Sequence, residues 1–117
     1  MLEVYGAAVE TKGSEIVVLV TASSVGEAEE LGKLAVSSGM AACVNIVRGI
    51  QSIFCWENAV KVETECLMII KTTLDRFPEL ETVIGEHHTY SVPEIIALPI
   101  IRGSAPYLDW IQAETHK

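Results

Sequence analysis

Two groups of residues in this chain of 117 are of types that could do chemistry. The first is His87 with Glu94, which flank His88-Thr89-Tyr90-Ser91-Val92-Pro93. An imidazole and a carboxylate together suit Cu(II), Zn(II) or Ni(II). His88 is a poor second ligand for the same ion, because adjacent helical residues point about 100° apart. A structural account competes. A histidine at a helix C-terminus complements the macrodipole, and a glutamate after proline can solvate the start of a strand. The second group is Trp56, Lys71 and Tyr90. The two aromatic rings could stack on a planar ligand in a cleft between subunits, and the lysine, at the end of an apolar run, could hold an anion. The same residue types also seal oligomer seams, and for these three packing is the preferred account.

Other reactive constellations are missing from the sequence. Glu27, Glu29 and Glu30, like Glu79, Glu81 and Glu86, read as solvated helix faces rather than carboxylate pairs. No Ser-His-Asp arrangement, phosphate loop or nucleophile elbow occurs, so neither an enzyme nor an organic cofactor is indicated. Cys43, Cys55 and Cys66 are odd in number and form no C-x-x-C pair, which argues for free thiols packed in core or interface in a reducing compartment. Cys55, beside Trp56, is the most open to reaction. Sixteen acidic residues against eight basic ones leave a net charge of −8. That field repels nucleic acid and attracts cations. Ile16–Val20 and Ile95–Ile101 fall short of the roughly 18–20 apolar residues of a membrane span. No basic start leads into an apolar run, so a cytoplasmic protein without a membrane partner is expected.

The elements that must position these residues can be read along the chain. Residues 1–14 are expected as a flexible lead-in ending at Lys12-Gly13-Ser14, and residues 15–117 as one domain. Ile16-Val17-Val18-Leu19-Val20 predicts a strand covered on both faces. Ser24 with Glu27 forms a capping-box pattern, and Gly39 provides a left-handed stop, so a helix is predicted over roughly 25–38. Ala42–Trp56 and Ala59–Thr72 predict two long strands joined near Glu57-Asn58, with a bulge or bend at Gly49. Thr73 or Asp75 caps a second helix with Pro78 in its first turn; its stripe is Phe77, Leu80, Val83 and Ile84, and it ends near His87-His88. Glu94–Ile100 predicts a fourth strand, at an edge because Pro99 lacks an amide donor. Pro106 opens a short last helix with Tyr107, Leu108, Trp110 and Ile111 on its apolar face.

The order βαββαβ plus a terminal helix predicts an α+β, ferredoxin-like sandwich with both main helices on one face. The other sheet face is then bare, and self-association is the simplest cover for it. A hairpin arm of about fourteen residues reaches on the order of 45 Å, far enough to pair with a neighbouring chain.

Met40-Ala41-Ala42-Cys43-Val44-Asn45, Ser52-Ile53-Phe54-Cys55-Trp56-Glu57, Met68-Ile69-Ile70-Lys71-Thr72-Thr73, His87-His88-Thr89-Tyr90-Ser91-Val92-Pro93-Glu94 and Tyr107-Leu108-Asp109-Trp110-Ile111 resemble the CutA family of divalent-cation tolerance proteins. The resemblance runs from about residue 16 to residue 113. It implies a cytoplasmic homotrimer of ferredoxin-like subunits, similar in shape to PII signalling proteins, with a capacity to bind divalent copper. It also implies ligands at His87 and Glu94, with the family's third ligand, a cysteine, replaced by Val20. Losing that thiolate removes the preference for soft Cu(I) and predicts weak binding of Cu(II) or another divalent cation. The alternative is a PII-like signalling or interaction module that takes a small anionic ligand or a protein partner in its clefts.

Overall fold

The computed structural model describes residues 2–4, 7–9 and 15–117. Its elements are β1 (Leu2–Val4), β2 (Ala7–Val9), β3 (Glu15–Ala22), α1 (Val25–Ser37), β4 (Cys43–Trp56), β5 (Ala59–Thr73), a 3-10 turn (Leu74–Arg76), α2 (Phe77–His87), β6 (Ile95–Pro99) and α3 (Ala105–Thr115). β1 and β2 pair antiparallel with each other; the rest of the expected lead-in lies outside the described residues. β3 to β6 form one sheet in the order β4-β5-β3-β6, antiparallel at every pairing. This is the ferredoxin-like sandwich that the element order predicts, with α3 added.

The core lies between this sheet and the two main helices. Val18, Val20, Met68 and Ile70 project from β3 and β5 onto Ala28, Leu31 and Ala35 of α1 and Leu80 and Ile84 of α2. The composition of β3 predicts cover on both faces, and the structure corrects this: only one face is fully covered. Ile16, Val18, Val20 and Ala22 are buried, whereas Val17 and Leu19 are only half-buried. An unbroken apolar run signals that both faces want cover, and one chain supplies it fully on one face only.

Local chemistry explains where the elements begin and end. Ser24 Oγ accepts the Glu27 N–H at 3.1 Å, capping α1, and Gly39 follows the helix at φ 79°, a left-handed value that suits glycine. Neither Thr73 nor Asp75 caps α2. The 3-10 turn intervenes, Arg76 becomes the N-cap residue without a side-chain cap bond, and the Asp75 carboxylate accepts from His116 Nε2 at 2.7 Å instead. The hairpin turns on Glu57 (φ 51°) and Asn58 (φ 64°), both left-handed as a tight two-residue turn requires. Gly49 (φ 68°) sits where the register of β4 slips between Val47 and Ile50, the bulge expected there.

Only Cys66–Thr73 of β5 pair with β3; beyond them, among the described residues, the two hairpin arms pair as strands only with each other. Their apolar residues Ile53, Val60 and Val62 are exposed, Val60 by 75%. The second sheet face is not wholly bare, because α3 covers the end near Glu15. Gln112 Nε2 donates to Glu15 Oε2 at 2.6 Å, and Ile111 is fully buried. Tyr107 and Trp110 stay exposed, so the apolar face expected on this helix is covered only in part. Ile96 and Leu98 of β6, which pair with Leu19 and Val17 on that face, are also exposed.

Candidate functional site

The segment between α2 and β6 crosses the end of β3, and His88 pins it there. Its side chain is fully buried (0% exposed). Nε2 lies 2.8 Å from the Thr21 carbonyl, which can only accept, so Nε2 carries the proton. Nδ1 accepts the Tyr90 N–H at 3.0 Å. Both ring nitrogens are therefore satisfied within the chain, which makes His88 a structural residue rather than a free ligand.

Glu27 reinforces this pin from the first turn of α1. Oε1 accepts the Ser23 N–H at 2.8 Å and the Ser23 hydroxyl at 2.9 Å, and Oε2 accepts the Thr89 N–H at 2.8 Å. The expected solvated face is corrected at this position, since the side chain is only 8% exposed. Burial alone would raise its pKa, but the donors from Ser23 and Thr89 outweigh it and lower the value from 4.5 to about 2. The capping box is thus modified: the carboxylate reaches back to Ser23, one residue before the cap, and ties the helix start to the 88–94 segment.

Between this segment and the middle of the hairpin lies a cleft of about 880 Å³. Trp56, Tyr90 and Glu94 all line it, together with Phe54, Glu63 and Glu65. The Tyr90 hydroxyl donates to Glu65 Oε2 at 2.6 Å. Burial and then the adjacent Glu65 carboxylate push the phenol above its ordinary pKa, so it stays a donor. Glu65 itself is 6% exposed.

The other two singled-out residues stand outside these walls. Lys71 lies opposite Cys43 at the base of the hairpin, with Nζ donating to Asn45 Oδ1. It is six residues along β5 from Glu65, roughly 20 Å. His87 ends α2, exposed to solvent, and its Nδ1 donates to the Val83 carbonyl at 2.8 Å. That bond leaves the Nε2 lone pair available to a ligand. Val20 is fully buried among the core residues. No group of three histidine, cysteine, aspartate or glutamate side chains suited to a metal occurs among the described residues. Of the thiols, Cys66 is buried, Cys43 half-buried and Cys55 exposed.

Glu27, His88 and Glu65 were not singled out as site residues from the sequence. A signal existed for Glu27, which stands three residues after the Ser24 cap in a capping box. Glu65 offers a weaker one, as a charge immediately before the apolar Cys66–Ile70 run.

A ferredoxin-like sandwich with a long hairpin and a cleft beneath it defines the class, and comparison with known proteins defines the family. The profile described as "CutA1 divalent ion tolerance protein" matches residues 16–114. The divalent-cation tolerance protein CutA of Thermus thermophilus is 45% identical over 101 residues, spanning 86% of this chain and 98% of that protein. The chloroplastic protein CutA of Arabidopsis thaliana is 43% identical over 100 residues, 86% of this chain but 55% of that protein. A solved structure of Archaeoglobus fulgidus, called a periplasmic divalent cation tolerance protein CutA, superposes with a TM-score of 0.85 at 38% identity, covering 87% of this chain and 99% of the other. The chain belongs to the CutA1 divalent ion tolerance family. The family carries the name of a tolerance function, not of a catalysed reaction. Its members are assigned to more than one compartment, and no helix among the described residues is long and apolar enough to cross a membrane.

Proposed function

We propose that the protein is a non-catalytic, cytoplasmic homotrimer that binds divalent cations, Cu(II) foremost, at a weak site formed by His87 and Glu94. Family membership over residues 16–114 carries this reading. The donor set supports it: His87 has Nδ1 tied to Val83 and Nε2 available, and Glu94 is an exposed carboxylate at the far end of the same segment. Imidazole with carboxylate fits Cu(II) and Zn(II), and valine at position 20 supplies no thiolate. With two ligands from one chain, water or a neighbouring copy completes the coordination.

The trimer is supported by the apolar surface that one chain leaves in water. Ile53, Val60 and Val62 on the hairpin and Ile96 and Leu98 on β6 are all exposed. Covering them needs an interface of the ordinary size, about 800 Å² per partner. The alternative, a signalling module with an anionic ligand around Trp56, Lys71 and Tyr90, gains no support from a cleft that Lys71 does not line.

Calorimetric titration of Cu(II) and Zn(II) into the wild type and His87→Ala tests the site. Binding in the wild type and at least tenfold weaker binding in the variant are expected. Equal heats in the two proteins would remove the assigned ligand.

A further inference from the structure

His87 and Glu94 stand at the two ends of a connector, residues 88–93, that is neither helix nor strand. No backbone–backbone hydrogen bond reaches residues 89–93 among the described residues. Side chains tie the connector to the rest of the chain instead, and their bonds fall on its first three residues. The His88 ring donates to the Thr21 carbonyl at 2.8 Å, the Thr89 N–H donates to Glu27 Oε2 at 2.8 Å, and the Tyr90 hydroxyl donates to Glu65 Oε2 at 2.6 Å. Ser91 and Val92, on the way to Glu94, are exposed. Of the three ties, only the one from Glu27 joins a charge to the connector's backbone, and a hydrogen bond to a carboxylate is about twice as strong as a neutral one.

Glu27 is not free to be a ligand itself. Its two oxygens accept three hydrogen bonds, two from Ser23 and one from Thr89, and its side chain is only 8% exposed. Any effect it has on an ion at the connector's ends must therefore pass through Thr89. Two ligands hold an ion more tightly when their arrangement is fixed before it arrives, because less freedom is lost on binding. We infer that Glu27 is a positioning residue for the divalent cation: by clamping Thr89 it fixes the connector that carries His87 and Glu94, so affinity depends on a carboxylate that does not touch the ion. The inference rests on the metal reading above and adds to it a residue from a separate helix, α1.

The test is calorimetric titration of Cu(II) into the full chain in its native assembly, with Glu27→Asp and Glu27→Ala checked for native fold by circular dichroism. Both are expected to bind about tenfold more weakly than the wild type, as when a hydrogen-bond partner behind a metal ligand is lost. Aspartate keeps the charge but is one methylene too short to join Ser23 to Thr89, so it separates the clamp from the simple attraction of a negative charge for a cation. Ser24→Ala, which weakens the same helix end by removing its cap bond, should bind like the wild type. A double variant supplies the readout that a merely structural role would not move. With Glu94→Gln, His87 acts alone and has no second ligand to be aligned with, so adding Glu27→Asp should weaken binding no further. A fold that is only destabilised would lose affinity equally in both backgrounds. Wild-type affinity in Glu27→Asp, or an equal loss with and without Glu94, overturns the clamp, and leaves the metal site standing where His87→Ala binds weakly. Failure of the wild type to bind Cu(II), or equal binding in His87→Ala, removes the site and the clamp together.

Discussion

His116 and Glu27 are the two side chains whose protonation is most firmly written into the geometry. His116 faces an acceptor with each ring nitrogen, Asp75 Oδ2 at 2.7 Å and the Gln112 carbonyl at 2.9 Å, so only the imidazolium satisfies both. The Asp75 bond and then the Gln112 carbonyl raise its pKa above 6.5. A raised value stabilises the fold fully below about pH 6.5, and this contribution disappears as pH rises through the folded-state pKa. Because both partners are substantially exposed, it amounts to about 0.2–1 kcal/mol; His116→Ala, followed by urea unfolding at pH 6 and pH 9, should lose that amount only at the lower pH. Glu27 runs the other way. Its value is depressed from 4.5 to about 2, so its stabilisation is complete above 4.5 and is lost as pH falls toward 2. Glu27→Gln should cost about 1–3 kcal/mol at pH 7 and much less at pH 2.5, read from denaturant midpoints. At this scale the candidate ligands were legible from residue type, whereas Glu65 was not. Its burial depends on Tyr90, 25 residues away in the chain, folding down onto it.

The hairpin is the element on which the site depends, and its two left-handed points control its shape. Gly49 has no atom within 4 Å of where a Cβ would stand, so a substitution there meets only backbone strain. Gly49→Ala should destabilise by about 1–2 kcal/mol in urea titration, without a change of fold. Glu57 and Asn58 both carry positive φ. Glu57→Asn combined with Asn58→Gly, the pair such turns prefer, should stabilise by about 1 kcal/mol in the same measurement. Helix α1, the hairpin, the bulge and edge strand β6 were all legible, because each has local punctuation in Ser24, Gly39, Gly49, Glu57-Asn58 or Pro99. The start of α2 was misplaced, because Thr73 and Asp75 are acceptable caps by composition. Asp75 is instead drawn to His116, 41 residues on.

On the scale of the molecule, one chain leaves its hairpin arms unsupported. Val60 and Val62 lie outside the core cluster and beyond the part of β5 that pairs with β3. Val60→Lys with Val62→Lys should therefore dissociate the proposed trimer while leaving the far-ultraviolet circular dichroism of each chain near native. Sedimentation equilibrium at micromolar concentration reads the mass directly. A wild type that sediments as a single chain would remove the assembly. A net charge of −8 adds repulsion between copies, so moderate salt should tighten the association by screening it.

Local pattern was enough to determine the order of the main elements from β3 onward and the ferredoxin-like class, because apolar periodicity, caps and turn residues act between neighbours in the chain; the family was legible from the resemblance of five sequence blocks. Residue type also marked His87 and Glu94 as donors, and Trp56, Lys71 and Tyr90 as residues of a cleft or of an oligomer seam. Only the tertiary structure decided that Trp56, Tyr90 and Glu94 share a cleft while Lys71 stands apart, that His88 is sealed, and that Glu27 and Glu65 are buried carboxylates. Those outcomes follow from side chains meeting across long stretches of sequence, where desolvation and hydrogen bonding depend on which partner arrives rather than on the residue itself.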